Sequence, residues 1–122
     1  MQNKEAWDLY QRYVDGWKSI SPDERKILIA DVVAEDAKYA TPQHESGGRE
    51  TMIEDMAAFQ SNYPGGRFDV GDVSAHHEVA LLTWVLVQAD GSVLVKGHDQ
   101  IHISAEGKID ELITFAPSVN EP

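Results

Sequence analysis

The run Val93 to Ile103 reads V-L-V-K-G-H-D-Q-I-H-I, and its alternate positions Val93, Val95, Gly97, Ile101 and Ile103 are apolar or small, with Asp99 the one exception. The intervening residues Leu94, Lys96, His98, Gln100 and His102 are mostly polar, so the run reads as a half-buried strand that turns Asp99 inward. An inward carboxyl among aliphatic neighbours is costly unless it is hydrogen-bonded, held neutral, or set beside a cavity containing water or a ligand. The plain alternative is a structural aspartate satisfied by backbone N–H groups. Spacing alone leaves both uses open.

Six further residues are candidates for a cavity around that carboxyl: Tyr13, Trp17, Tyr39, Met56, Phe59 and Trp84. Such a lining is apolar and aromatic with few polar groups, the usual profile of a site for a small organic molecule. Aromatics at helical spacing are also ordinary core, and only convergence on Asp99 separates the two uses. His44 lies in a loop expected at the cavity mouth and is a candidate proton shuttle or specificity residue. The other histidines make a poor ligand set. His98 and His102 flank Gln100 on the strand face opposite Asp99, and His76 and His77 fall in a turn, so neither a metal nor a cofactor is expected. Glu54-Asp55 and Asp110-Glu111 read as solvated faces. The chain carries no G-x-S-x-G, P-loop or G-x-G-x-x-G motif.

The elements that must position these residues follow from periodicity. From Glu5 to Ile20 the residues Ala6, Leu9, Tyr10, Tyr13, Val14 and Trp17 recur at steps of three and four, which predicts a first helix. Ser21-Pro22-Asp23-Glu24 has the order of a capping box and opens a second helix that buries Leu28, Ile29, Val32 and Val33 and fades near Glu35-Asp36. Ala37 to Thr41, bounded by Pro42, predicts a short strand, and Gln43 to Gly48 a loop. A third helix is expected from Arg49 to Asn62, with Met52, Ile53 and Met56 inward along with Phe59 or Ala57, stopped by Tyr63-Pro64-Gly65-Gly66.

The second half changes period. Arg67 to Ala75, Val79 to Gln88, Val93 to Ser104 and Ile109 to Ala116 are strand-like, separated by turn sequences that include Asp90-Gly91 and Glu106-Gly107. Helices first and sheet second means α+β: a curved antiparallel sheet wrapped around three N-terminal helices, a cone-shaped α+β barrel. Gly71 and Gly97 are the expected bulge or bend positions. The strand from Val79 to Val87 is apolar on both faces, with Leu82, Trp84 and Leu86 on one side and Leu81, Thr83, Val85 and Val87 on the other. A homodimer through the convex sheet face is the economical reading of that outer row.

Composition sets the outer limits. The 122 residues suit a single domain spanning 1–122 with one site. A formal net charge of -11 repels nucleic acid and anionic membranes. The chain has no cysteine, no signal-peptide-like start and no apolar run of membrane length, so a cytoplasmic location is expected.

Between Trp7 and Phe115 the chain resembles the nuclear transport factor 2-like superfamily, in particular its SnoaL-like polyketide cyclases and ketosteroid isomerases. The resemblance rests on Q-R-Y-V (Gln11 to Val14), A-E-D-A-K-Y-A-T-P (Ala34 to Pro42), G-R-E-T-M-I (Gly48 to Ile53), Trp84, G-H-D-Q-I-H-I (Gly97 to Ile103) and E-G-K-I (Glu106 to Ile109). It implies that Tyr13 and Asp99 correspond to the tyrosine and protonated aspartic acid of the isomerase oxyanion hole. The isomerase's proton-abstracting aspartate corresponds to Thr41, which cannot act as that base. Epoxide hydrolases of this fold pair the aspartate with an arginine two residues earlier, where Gly97 stands. The SnoaL-type requirement, one aspartate as general acid and base in an aromatic pocket, is met by Asp99. The implied function is a cyclase- or isomerase-type enzyme acting on a small apolar or aromatic carbonyl compound. Asp99 would exchange the proton and Tyr13 would donate a hydrogen bond to the developing enolate. The alternative is a non-catalytic small-ligand-binding or dimeric interaction module.

Overall fold

The computed structural model describes residues 1–120. Helices α1 (Asn3–Val14), α2 (Pro22–Val32) and α3 (Arg49–Asn62) pack on a sheet of six strands: β1 (Val33–Thr41), β2 (His44–Gly47), β3 (Arg67–His76), β4 (Val79–Val87), β5 (Val93–Ile103) and β6 (Ile109–Phe115). Their order across the sheet is β2-β1-β6-β5-β4-β3, and the curved sheet remains unclosed. The expected meander accounts for the antiparallel pairs from β3 to β6. One pairing departs from the antiparallel expectation. β1 runs parallel to β6, Tyr39 opposite Leu112, because the chain enters the sheet from α2 and the meander returns beside it. Among the described residues no helix is long and apolar enough to cross a membrane.

Three element boundaries move, each for a tertiary reason. α1 stops at Val14, and Asp15–Trp17 forms a tight 3-10 turn rather than a continuation to Ile20. At its centre Gly16 lets two helices approach, since a Cβ there would stand 2.8 Å from Ile29 and 2.9 Å from Met56. Arg25 is buried beneath this turn and donates from Nε to the Gly16 carbonyl at 2.9 Å and from a terminal nitrogen to the Lys18 carbonyl at 3.0 Å. α2 opens as expected, with Ser21 Oγ accepting from the Glu24 N–H at 3.1 Å. It does not fade near Glu35. It ends at Val32 and passes directly into β1, whose first residue Val33 pairs with Ile109. The predicted loop from Gln43 to Gly48 contains β2, where Thr41 pairs with His44 and Tyr39 with Gly47.

Tyr10, Tyr13, Ile29, Met52, Met56, Leu82, Ile101 and Leu112 are almost wholly enclosed between the helices and the concave sheet face. On the convex face Leu81 is 46% exposed and Phe115 53% exposed, whereas Val87 is only 3% exposed. Val87 was expected in the outer row with Leu81. A register shift between Leu86 and Val87 breaks the alternation and buries both.

Candidate functional site

Asp99 points inward from β5 and is 5% exposed. Its carboxyl is satisfied by side chains rather than by backbone N–H groups. Tyr10 Oη donates to Oδ2 at 2.5 Å, while Thr114 Oγ1 at 2.8 Å and Trp84 Nε1 at 3.1 Å both donate to Oδ1. Thr114 arrives by register, being opposite Asp99 on β6. Trp84 arrives through an absence. It pairs with Gly97 in regular ladder geometry, and a Cβ on Gly97 would stand 2.2 Å from the indole Cζ2. Gly97 is therefore not a bend position; its missing side chain is the space the indole crosses to reach Asp99. Gly71 does sit at a bulge, between the Val70 and Val73 pairings.

Burial raises the Asp99 pKa above the ordinary carboxyl value, and the bonds from Tyr10, Thr114 and Trp84 only partly oppose it. Burial likewise pushes the phenols of Tyr10 and Tyr13 well up, reinforced by the negative charge of Asp99. Tyr39 is raised in the same way, with Tyr13 and then Asp55 adding to the burial effect.

These groups line a cavity of about 650 Å³ whose wall includes Tyr13, Trp17, Tyr39, His44, Phe59, Trp84 and Asp99. Its aromatic end is close-packed. Phe68 stands 5.2 Å from both Trp17 and Trp84 and 4.7 Å from Phe59, measured between ring centroids. One expected lining residue is absent. Met56 faces the core beside Gly16, because the cavity side of α3 is Asp55, Ala58, Phe59 and Asn62, a different stripe from Met52 and Met56.

That phase of α3 also corrects the reading of Asp55 as solvated. Asp55 Oδ2 accepts from Tyr39 Oη at 2.8 Å, and its Oδ1 lies 3.0 Å from His44 Nε2. Thr41 has a visible role in this corner. Its hydroxyl accepts the backbone N–H groups of Gln43 and His44, each at 3.1 Å, which fixes the turn that carries His44 to the cavity. The remaining histidines lie elsewhere: His76 against His77, His98 against Ser118 and His102 against Asp110.

Tyr10, Thr114, Asp55 and Phe68 were not foreseen in this arrangement. Tyr10, three residues before Tyr13, makes the contact with Asp99; Tyr13 lies in the wall, as expected, with its ring 5.5 Å from that of Tyr10. Both tyrosines lie on the inward face of α1, and periodicity cannot choose between successive positions of one stripe.

The model of the SnoaL-like domain family matches residues 10–112, a span that runs from Tyr10 past Asp99 into β6. The chain belongs to the SnoaL-like domain family. No curated protein matches this SnoaL-like domain in sequence. Among solved structures, a proposed isomerase of the SnoaL-like family from Agrobacterium tumefaciens strain C58 is 25% identical, with a TM-score of 0.83 over 92% of this chain and 97% of that one. A proposed ketosteroid isomerase from Kribbella flavida is 22% identical, with a TM-score of 0.69 over 98% of this chain and 83% of that one. A proposed SnoaL-like polyketide cyclase from Jannaschia sp. CCS1 is 14% identical, with a TM-score of 0.71 over 93% of this chain and 85% of that one. At these identities the last two show the fold alone.

Proposed function

We propose that this SnoaL-like domain is a small-molecule enzyme of the cyclase or isomerase type that moves protons on an apolar carbonyl compound, with Asp99 as the buried acid. The observation that carries the reading is a carboxyl raised by burial in the wall of a cavity large enough for a fused-ring molecule. Oδ1 already takes two donors and Oδ2 only one, so a proton on Asp99 belongs on Oδ2. From there it is available to a carbonyl oxygen as negative charge develops on it, and Tyr13 supplies a second hydroxyl in the same wall. The similarity to a proposed SnoaL-like isomerase supports the class of chemistry.

A second reading is favoured by the same bonds. Three side chains from α1, β4 and β6 converge on Asp99, which ties a helix to the sheet as a structural aspartate in a binding module would. Asp99→Asn separates the two. The amide keeps an oxygen for Trp84 and Thr114 and an N–H for Tyr10, so the fold and binding of 2-naphthol, a probe of enolate shape, are expected to persist. Enolisation of 2-tetralone, followed by NMR as deuterium uptake from heavy water, is expected to fall by about 100-fold or more. Undiminished exchange in this variant rejects the acid role of Asp99 and leaves the binding module.

A further inference from the structure

We infer that His44 is the general base of the cavity and that Asp55 is the residue that positions it. The inference rests on the proton-transfer reading of Asp99 and names the second proton-carrying group that reading requires.

Enolisation needs two groups at once. One must hydrogen-bond the carbonyl oxygen, and the other must take the proton from the adjacent carbon. Asp99 suits the first task, because its bonds from Tyr10, Trp84 and Thr114 hold it rigidly at the buried end. Thr41 is occupied with the turn and has no basic atom. His44 shares the cavity wall with Asp99 and carries a nitrogen that is free to act.

The network decides which nitrogen. Nε2 of His44 lies 3.0 Å from Asp55 Oδ1, and a carboxylate accepts, so Nε2 carries the hydrogen and the lone pair of neutral His44 sits on Nδ1. Nδ1 has no hydrogen-bond partner among the described residues, and it is not sealed off, since no buried side-chain nitrogen or oxygen lacks a partner among them. Asp55 is held in turn by Tyr39 Oη at 2.8 Å. A base oriented by a carboxylate, itself oriented by a third group, is the arrangement that keeps an imidazole in one tautomer and stabilises the imidazolium it becomes.

The step balances. Nδ1 takes the proton from the carbon beside the carbonyl, and that C–H pair becomes the carbon–carbon double bond of the enol. The carbonyl oxygen receives the Asp99 proton, leaving a carboxylate opposite an imidazolium. Return of a proton from His44 to that carbon, with the enol proton going back to Asp99, completes the exchange; where the substrate carries a β,γ double bond the enol is a dienol, and return to the γ carbon instead shifts that double bond into conjugation and completes an isomerisation.

The test uses the same exchange of 2-tetralone, with 2-naphthol binding as the check on the cavity. His44→Gln is expected to slow exchange by about 100-fold or more and to leave 2-naphthol affinity within about threefold. His44→Ala is expected to be equally slow and to regain rate when imidazole is added, which a merely structural histidine would not show. In long-range proton–nitrogen spectra the wild type is expected to have its His44 hydrogen on Nε2, and Asp55→Asn to mix the tautomers and slow exchange together. Full activity in His44→Gln alongside an inactive Asp99→Asn overturns the base and leaves the proposed function standing. Exchange no faster with the wild type than with free imidazole at the same concentration overturns both. Mixed tautomers in Asp55→Asn at undiminished rate remove Asp55 from its positioning role.

Discussion

Two opposing effects act on the Asp99 carboxyl, burial and its hydrogen bonds, and burial is the larger. A carboxyl whose folded pKa exceeds its unfolded value binds its proton more tightly in the native state, so its contribution to stability is full below the unfolded pKa. It is lost as pH rises through the folded one. Urea midpoints measured from about pH 4 to about pH 8 are therefore expected to fall more steeply for wild type than for Asp99→Asn, which has no proton to lose. Parallel curves would show that this carboxyl titrates alike in both states. Tyr10→Phe removes one of the bonds that favour the ionised form. The Asp99 titration, read from its carboxyl carbon by NMR, is expected to move further upward, at a stability cost of about 1 kcal/mol. Asp99 itself was legible in the sequence, because an acidic residue in an alternating strand is turned inward by the pleat alone. Of its donors Trp84 was a candidate, but Tyr10 and Thr114 were not, since they come from elements 89 and 15 residues away.

At the scale of elements, two short sequences do more than their type suggests. Gly97 has the place of a strand residue, but its lack of a side chain is what seats the Trp84 indole. Gly97→Val drives a side chain into that ring. The expected result is loss of the Trp84 to Asp99 bond, a shift in tryptophan fluorescence and a destabilisation of about 1–3 kcal/mol. Unchanged emission would mean that the indole has another resting place. Arg25, on α2, closes the 3-10 turn after α1 by donating to the Gly16 and Lys18 carbonyls. Arg25→Ala removes the guanidinium from both carbonyls, leaving Lys18 only the Ile20 N–H, and is expected to cost about 1–3 kcal/mol in urea unfolding. The third helix shows why its site face was hidden. Met52 and Met56 lie on an apolar stripe that any period search finds, whereas the neighbouring stripe, apart from Phe59, is Asp55, Ala58 and Asn62 and has the composition of a solvent face. Only β1 and β2 lying beside it turn that stripe into a wall.

For the whole molecule, we propose assembly into a homodimer through the convex face. The exposed Leu81 and Phe115 support it, although Gln100, His98 and Lys96 interrupt the apolar area on the neighbouring β5. Sedimentation at micromolar concentration is expected to give a species of twice the chain mass, and Leu81→Glu a monomer with the same melting behaviour. A monomeric wild type rejects it. The cone itself is held by the enclosed set on the concave face, and Trp17, Phe59, Phe68 and Trp84 pack ring against ring at one end of the cavity.

The amino-acid order by itself determined the α+β class, the three helices, the meander with its Asp90-Gly91 and Glu106-Gly107 turns, and the inward carboxyl of Asp99. All of these follow from local periodicity, turn chemistry and the pleat, which act over a few residues. The tertiary structure alone decided the parallel β1 to β6 pairing, the bond from Tyr10 to Asp99, the exclusion of Met56 and the joining of Tyr39, Asp55 and His44. Those depend on which faces meet when distant elements pack, and a repeating pattern within one element carries no information about what will stand opposite it.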